Sequence, residues 1–394
     1  MDVDSYRNSP IGSVMSISGH DGRFGNQYQH FAYVPAPLPD DPQLSSTTWK
    51  VIAAAMLALG RLDQAGRQIP DTFMLRRPTL RREAQSTSAL EGTFAPLLDV
   101  LEVEPDDAVG SQSPELSEVL NYVRAAEHAY AAIGDDRPIS TGLLFELHKM
   151  LVSGTMADGP EAGQVRTVQV AIGAAGGRIE EARFVPPPPG IELQAALRDW
   201  ADWIELKTKS PQDCIVAAAL GHYQFETLHP FNDGNGRIGR LVIVLQLMRS
   251  GVLRDPLLTL SPWFETRRVA YQDNLQRVSI SGDWDTWVQF FAEGIRAQAE
   301  STAAKVGDML AYRDEARQRA RSAGLKGLAI DVLDDLISWP VFTTASVASR
   351  RGVTPPAATA AIKRLINLDI LGEMTGRAYG RVYACRRVLQ ILQS

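Results

Sequence analysis

The sequence predicts a mainly α-helical protein, interrupted once by a short β-hairpin and closed by a small domain that mixes helices with extended segments. Three observations carry this. Apolar residues recur at helical spacing through most of residues 45–305. The period changes at Val165–Ile172, and a loose Gly173-Ala-Ala-Gly-Gly177 connection leads to Ala182–Val185, as in a pair of strands. From Leu325 the helical runs shorten and give way to a Gly-rich pair of extended segments.

In chain order, Met1 to about Gln43 is rich in Gly, Ser, Pro and Asp and shows little periodicity, which predicts an irregular arm ordered only by packing on the body. Ser45-Ser-Thr-Thr offers N-caps for the helix TWKVIAAAMLALGRLDQ. Pro70 and Pro78 should break the run, leaving a second helical stretch from Leu80 to about Thr87 ahead of Glu91-Gly92. Ser113 caps a helix running through NYVRAAEHAYAAIG, and Ile139–Val152 forms another. Pro186–Pro189 ends the hairpin, since four prolines continue neither ladder nor helix. Helices follow at Ile191–Lys207, Pro211–Leu228, Gly236–Ser250, Arg267–Ile280 and Trp284–Arg319, the last long enough to suggest a break. In the tail, two short helices, a turn at Val353-Thr-Pro-Pro, a helix through Ala357–Leu368 and the extended pair outline a winged helix. The chain thus divides into an arm (1–43), a helical extension (44–112), a central helical core (113–305), and a linker helix with the winged-helix-like domain (306–394).

Composition is that of a folded protein: 394 residues, 45% hydrophobic and 22% charged. A net charge of −6 argues against general affinity for nucleic acid. Residues 343–394 are the exception, with Arg350, Arg351, Lys363, Arg364, Arg377, Arg381, Arg386 and Arg387 set against Asp369 and Glu373. Cys214 and Cys385 provide neither a disulfide framework nor a metal set. The first residues lack a basic segment followed by an apolar core, and the apolar runs at Val51–Leu59 and Leu241–Met248 are too short to span a bilayer. A cytoplasmic protein without membrane association is expected.

The chemistry concentrates in His229-Pro-Phe-Asn-Asp-Gly-Asn-Gly-Arg-Ile-Gly-Arg240. An apolar helix runs into His229-Pro230, and the proline pushes His229 out of helical geometry. Asp233-Gly-Asn-Gly236 permits a tight turn, and the helix RIGRLVIVLQLM starts at once. A glycine-rich turn at a helix N-terminus is an anion site, because free N–H groups and the helix dipole both favour phosphate. Arg237 and Arg240, three apart, share the face of that helix start and oppose its dipole unless an anion such as a triphosphate compensates them. Asp233 is placed to hold a Mg²⁺ that bridges phosphate oxygens. His229 is the group able to accept a proton near neutral pH.

These residues resemble the motif of the Fic family, His-Pro-Phe-x-(Asp/Glu)-Gly-Asn-Gly-Arg-x-x-Arg, at every specified position. Gly163–Pro189 resembles the family's flap hairpin, SPWFETRRVAYQDNLQRVSISGDWDTWVQFF its helices after the motif, and YVPAPLPDDPQLSSTTWK…EAQSTSALEGT the N-terminal extension of one subgroup. The likeness spans roughly residues 30–300. It implies a Fic-type helical bundle that transfers AMP from ATP to a hydroxyl of a target protein, and to itself. His229 would then be the general base and Asp233 the Mg²⁺ ligand. Gly234, Asn235 and Gly236 would cradle the α- and β-phosphates, Arg237 and Arg240 would clamp the β- and γ-phosphates, and Ile238 and Gly239 would complete the nucleotide site. Tyr271 and Asn274 would lie near the nucleobase, although Tyr271 equally suits the core. The flap, 163–189, would dock the target by strand addition.

Thr87-Ser-Ala-Leu-Glu91-Gly92 matches the family's inhibitory motif, (Ser/Thr)-x-x-x-Glu-(Gly/Asn). The resemblance implies that Glu91 pairs with Arg240 and occupies the guanidinium that the γ-phosphate needs. Transfer of UMP or phosphocholine stays open, because base recognition lies outside the motif; Gly236-Arg237 argues against a kinase. The alternative of a different class is a nucleic-acid-binding regulator, with Ala357–Leu368 in a major groove and Gly376–Arg381 as the wing, or a tail that serves dimerisation.

Overall fold

A computed structural model describes residues 1–21, 25–67, 73–103, 113–174, 177–208, 214–376 and 379–394. The N-terminal residues correct the expectation of an irregular arm. After a one-turn helix α1 (Val3–Tyr6), strands β1 (Gly12–Asp21) and β2 (Asn26–Pro35) pair antiparallel from Gly12↔Pro35 to Asp21↔Asn26. Composition concealed a period of two: Ile17 and Ala32 turn inward and pack with Ile179, Ala182 and Val185. The Tyr33 N–H donates to the Val185 carbonyl at 2.9 Å, tying the hairpin to the proline-ended segment.

The helical body follows the predicted order. Helix α2 (Ser46–Arg67) opens with the Ser45 hydroxyl accepting from the Thr48 N–H at 3.2 Å. Helix α3 (Phe73–Leu90) runs straight through Pro78, contrary to the expected break, while Pro70 lies outside the described residues. The missing backbone donor is outweighed by burial, for most of α3 is enclosed. Arg77 donates to the Ser338 and Leu101 carbonyls, Arg81 to those of Val100 and Val103, and buried Glu83 accepts from the Ser261 N–H and hydroxyl. Helices α4 (Leu97–Glu102), α5 (Pro114–Gly134, capped by Ser113), α6 (Thr141–Val152, capped by Ser140) and α7 (Ile191–Lys207) come next.

Helices α8 (Cys214–Leu228) and α9 (Asn235–Arg249) form the centre, since both bury residues on every face. Around α9, one core gathers α5, α6 and α7; a second joins α2 and α8 to the helices that follow. Those are α10 (Ser261–Thr266), α11 (Arg268–Ser281) and α12 (Trp284–Ser322). The last is continuous, against the expected break, because it buries a stripe from Trp284 to Ala320. Trp287 is fully buried and its indole N–H donates to the Ala219 carbonyl at 2.9 Å. Trp287→Ala should therefore cost about 3–5 kcal/mol, read as a lowered denaturant midpoint.

Segment 163–189 is not the expected pair of strands. One bridge, Ile172↔Phe184, and a 3₁₀ turn at Ile179–Glu181 are its regular features among the described residues. Side chains claim the backbone instead: Gln169 donates to the Val170 and Pro186 carbonyls, and the Arg166 N–H reaches Pro230 at 2.9 Å.

The C-terminal part runs α13 (Leu328–Asp334), β3 (Val341–Thr343), α14 (Thr344–Arg351), α15 (Pro355–Asn367), β4 (Gly372–Glu373), β5 (Val382–Ala384) and α16 (Arg386–Gln393). The strands lie antiparallel in the order β3-β5-β4, and the whole shares its core with α12. Its basic character is reduced by pairing. Arg350 lies 4.4 Å from the Trp339 ring, Arg351 meets Asp335 at 2.8 Å, and Arg381 meets Glu373 at 3.6 Å. Arg377 lies outside the described residues.

Candidate active site

Helix α8 ends at Leu228, and the next residue takes a left-handed backbone, φ 47° at His229, so the imidazole leaves the helix line and faces a cavity of about 310 Å³. The lining includes Glu91, Glu226, Gly236, Arg240 and Tyr271. His229 Nδ1 lies 3.3 Å from the Glu226 carbonyl, which can only accept. That bond selects the Nδ1–H tautomer and leaves the Nε2 lone pair available. Burial, aided by the Arg166 charge and opposed by Glu91, holds the His229 pKa down at about 4. The imidazole is therefore neutral, and a base, at pH 7.

The loop after His229 is locked by its own side chains. Asn235 accepts from the Phe231 N–H and donates to the Phe231 carbonyl, both at 2.8 Å. Its side chain is thus spent on the turn, and only its backbone N–H is left to face an anion. Gly234 has φ 75° and caps α9, where a β-carbon would also crowd Leu151. His148 on α6 braces the loop from behind: Nε2 donates to the Asp233 carbonyl at 3.1 Å, Nδ1 accepts from the Gly163 N–H at 2.9 Å, and the ring stacks on Phe231.

Glu91 reaches the start of α9 from the end of α3. Arg240 donates to its carboxylate at 2.5 Å, to the Thr87 hydroxyl at 2.7 Å and to the Thr87 carbonyl at 3.0 Å. That carbonyl belongs to the last turn of α3, where it has lost its helical partner. Burial alone would lower the Arg240 pKa, but Glu91, with Tyr271 and Glu226, raises it well above its usual value. A β-carbon at Gly236 would run into the Glu91 carboxylate and the Arg240 guanidinium. The carboxylate thus sits where the sequence placed a phosphate.

Ile238, Gly239, Asn274 and Arg237, expected at the nucleotide, are engaged by other parts of the protein. The Ile238 side chain is fully buried in the core and its N–H is spent on the Gly234 carbonyl. Gly239 serves packing: a β-carbon there would strike Glu226 and Phe225. Asn274 folds back to donate to the Ala270 carbonyl at 2.8 Å, while Tyr271, Gln272, Leu275, Gln276 and Ser279 present the cavity face of α11. Arg237 turns toward Glu118 at 3.2 Å and Asp233 at 3.3 Å, away from Arg240, so the two arginines do not share one clamp. Tyr271 lines the cavity, and its buried hydroxyl meets His222 Nε2 at 2.7 Å.

Sequence reasoning missed Arg166, His148, Arg183 and Glu226. Arg183 spans from the segment to Gln276 and Asp273 on α11. Glu226 had a legible signal, being the lone charged residue of α8. Burial lifts its pKa to about 7, with Arg240 pulling it down and Glu91 pushing it further up.

Residues 49–131 match the Fic/DOC family N-terminal model, and residues 138–247, which contain the whole loop, match the Fic/DOC family model. The chain carries a Fic domain. The protein adenylyltransferase fic-1 of Caenorhabditis briggsae is 38% identical over 113 residues, 29% of this chain and 20% of that protein. The protein adenylyltransferase Fic of Drosophila willistoni is 32% identical over 142 residues, 36% of this chain and 26% of that one. The chain therefore spans only a fifth to a quarter of these relatives. Among solved structures, a Fic family protein from Desulfovibrio desulfuricans G20 is 22% identical with a TM-score of 0.55, over 88% of this chain and 98% of that one. The Caenorhabditis elegans Fic-1 structure is 23% identical with a TM-score of 0.50, over 68% and 74%. These two likenesses establish the Fic fold around the loop. Among the described residues no helix is long and apolar enough to cross a membrane.

Proposed function

We propose that the protein is a protein adenylyltransferase held back by Glu91. The observation that carries this reading is the neutral imidazole of His229 facing a cavity whose anion position, at the start of α9, is filled by a carboxylate of the same chain. In the reaction, His229 Nε2 takes the proton of a target hydroxyl as its oxygen bonds to the α-phosphorus of ATP. The bond from that phosphorus to the bridging oxygen breaks and pyrophosphate leaves. Backbone N–H groups at Gly234–Gly236 and the positive end of α9 receive phosphate oxygens, and Arg240 takes the γ-phosphate once Glu91 withdraws.

Mg²⁺ fits this scheme through Asp233, a half-exposed carboxylate with one oxygen accepting from the Gly234 N–H and the other, among the described residues, meeting Arg237. Among the described residues no group of three or more ligating side chains is available to hold a metal unaided. One carboxylate with phosphate oxygens completing the shell is the usual arrangement for Mg²⁺, which would offset phosphate charge. A cytoplasmic location and target docking along 163–189 belong to the same reading. The nucleic-acid alternative has less support: of the residues α15 exposes, Pro355, Pro356, Ala357 and Ala360 cannot read base edges, leaving Lys363, Arg364 and Asn367 near its C-terminal end.

Intact-mass spectrometry of the Glu91→Gly protein with ATP and Mg²⁺ tests the reading. An added adenylyl group is expected; addition from UTP or CDP-choline in its place would change the transferred group. Because the His229 pKa is held near 4, the base form persists through neutrality. The transfer rate should be flat between about pH 6 and 8 and fall only toward pH 4. An acid limb centred near the ordinary histidine pKa would contradict this.

A further inference from the structure

We propose that Arg166 is a positioning residue of the site: its guanidinium ties both arms of segment 163–189 to the His229 carbonyl, holding the imidazole's backbone in its left-handed conformation. Arg166 is 2% exposed. Its Nε donates to the His229 carbonyl at 2.8 Å, Nη1 to the Val168 carbonyl at 3.0 Å and Nη2 to the Pro187 carbonyl. Its own N–H donates to Pro230, so side chain and backbone of one residue hold two successive carbonyls of the catalytic loop. A left-handed backbone at a non-glycine residue persists only where its surroundings over-determine it. Here the His229 N–H is held by the Phe225 carbonyl, and Arg166 supplies the opposing restraint.

The charge has a second consequence. Among the described residues no carboxylate lies within ion-pair distance of Arg166, so a buried cation is kept on carbonyl dipoles alone. Burying such a charge is costly, and a neutral side chain would pack the same space more cheaply. Burial brings the Arg166 pKa down to about 10, which leaves it charged at neutrality. Facing His229 are Arg166 from the segment, Glu91 from just beyond α3, Glu226 from α8, Asp233 from the loop and Arg240 from α9. Arg183, Arg268 and Tyr271 lie farther round the cavity. Arg166 is the cation that acts on the imidazole to disfavour its protonation, against Glu91 and Asp233.

The kinetic part of this inference rests on the adenylyltransferase reading, and the test separates the two. His229 is titrated by NMR in the metal-free full chain, its signal identified by its loss in His229→Gln, for wild type, Arg166→Met and Arg166→Lys. In Arg166→Met the His229 pKa should rise by about one unit or more. In the Glu91→Gly background, kcat should fall about 10- to 100-fold with the KM for ATP changed far less. Arg166→Lys keeps the charge but not the three-way fork, so it should restore the titration and not kcat. An unmoved His229 pKa in Arg166→Met, or full kcat in Arg166→Lys, overturns the proposal. Should Arg166→Met fail to fold, the Lys variant still decides, since unchanged kcat refutes the positioning role. If the Glu91→Gly parent transfers nothing, the adenylyltransferase reading fails, and the titration alone judges Arg166.

Discussion

Glu91→Gly should raise self-labelling from ATP by about 10- to 100-fold over wild type, the range expected when a charge-assisted pair that excludes a substrate group is removed. Glu91 does three things at once. It neutralises Arg240, it occupies the space over Gly236, and it presents negative charge at the dipole end that phosphate requires. Its loss frees all three, while Arg240 stays oriented by the Thr87 hydroxyl and carbonyl. Glycine at this position also removes side-chain bulk from the cavity. The measurement is incorporation of labelled AMP by purified full-length proteins under matched conditions. Equal labelling of variant and wild type would mean that the pair does not restrain the reaction.

His229→Ala should abolish transfer, by at least about 100- to 10,000-fold, while leaving ATP affinity nearly unchanged. The asymmetry follows from position. His229 is held by the Phe225 and Glu226 carbonyls and by Arg166, and none of these bonds touches the anion position at the start of α9. Removing the imidazole takes away the proton acceptor and leaves the phosphate cradle standing. The comparison belongs in the Glu91→Gly background, where transfer with His229 intact is high enough to lose. Labelling measured beside ATP titration by calorimetry separates the two effects. Undiminished labelling would remove His229 as the base, and a parallel loss of ATP affinity would assign it to binding.

The motif loop and most of the helices were legible in the sequence. The twelve residues from His229 to Arg240 carry their physics locally: a proline after the histidine, glycines that admit φ 75° at Gly234, and a helix start immediately behind. Helix α7 was legible to the residue, because its apolar period was unambiguous. The N-terminal hairpin was not, since Gly and Ser hid a period of two that becomes visible only when Ile17 and Ala32 meet Val185.

Only the tertiary structure decided which neighbours share a space. Three residues apart, Arg237 and Arg240 looked like one clamp; partners from two different segments, Glu118 on α5 and Glu91 just beyond α3, engage them separately. Asn235, Ile238 and Gly239 lie within the motif, yet they serve the turn and the core, because a helix start must pack on one side while it binds on the other. Arg166, 63 residues before His229, holds its carbonyl through a bond that no local pattern encodes. Local spacing specifies conformation, whereas burial and charge pairing depend on segments far apart in the chain. That is why the loop could be read in advance, and the pairing of Glu91 with Arg240 anticipated by resemblance, whereas the hold of Arg166 on His229 emerges only in the folded chain.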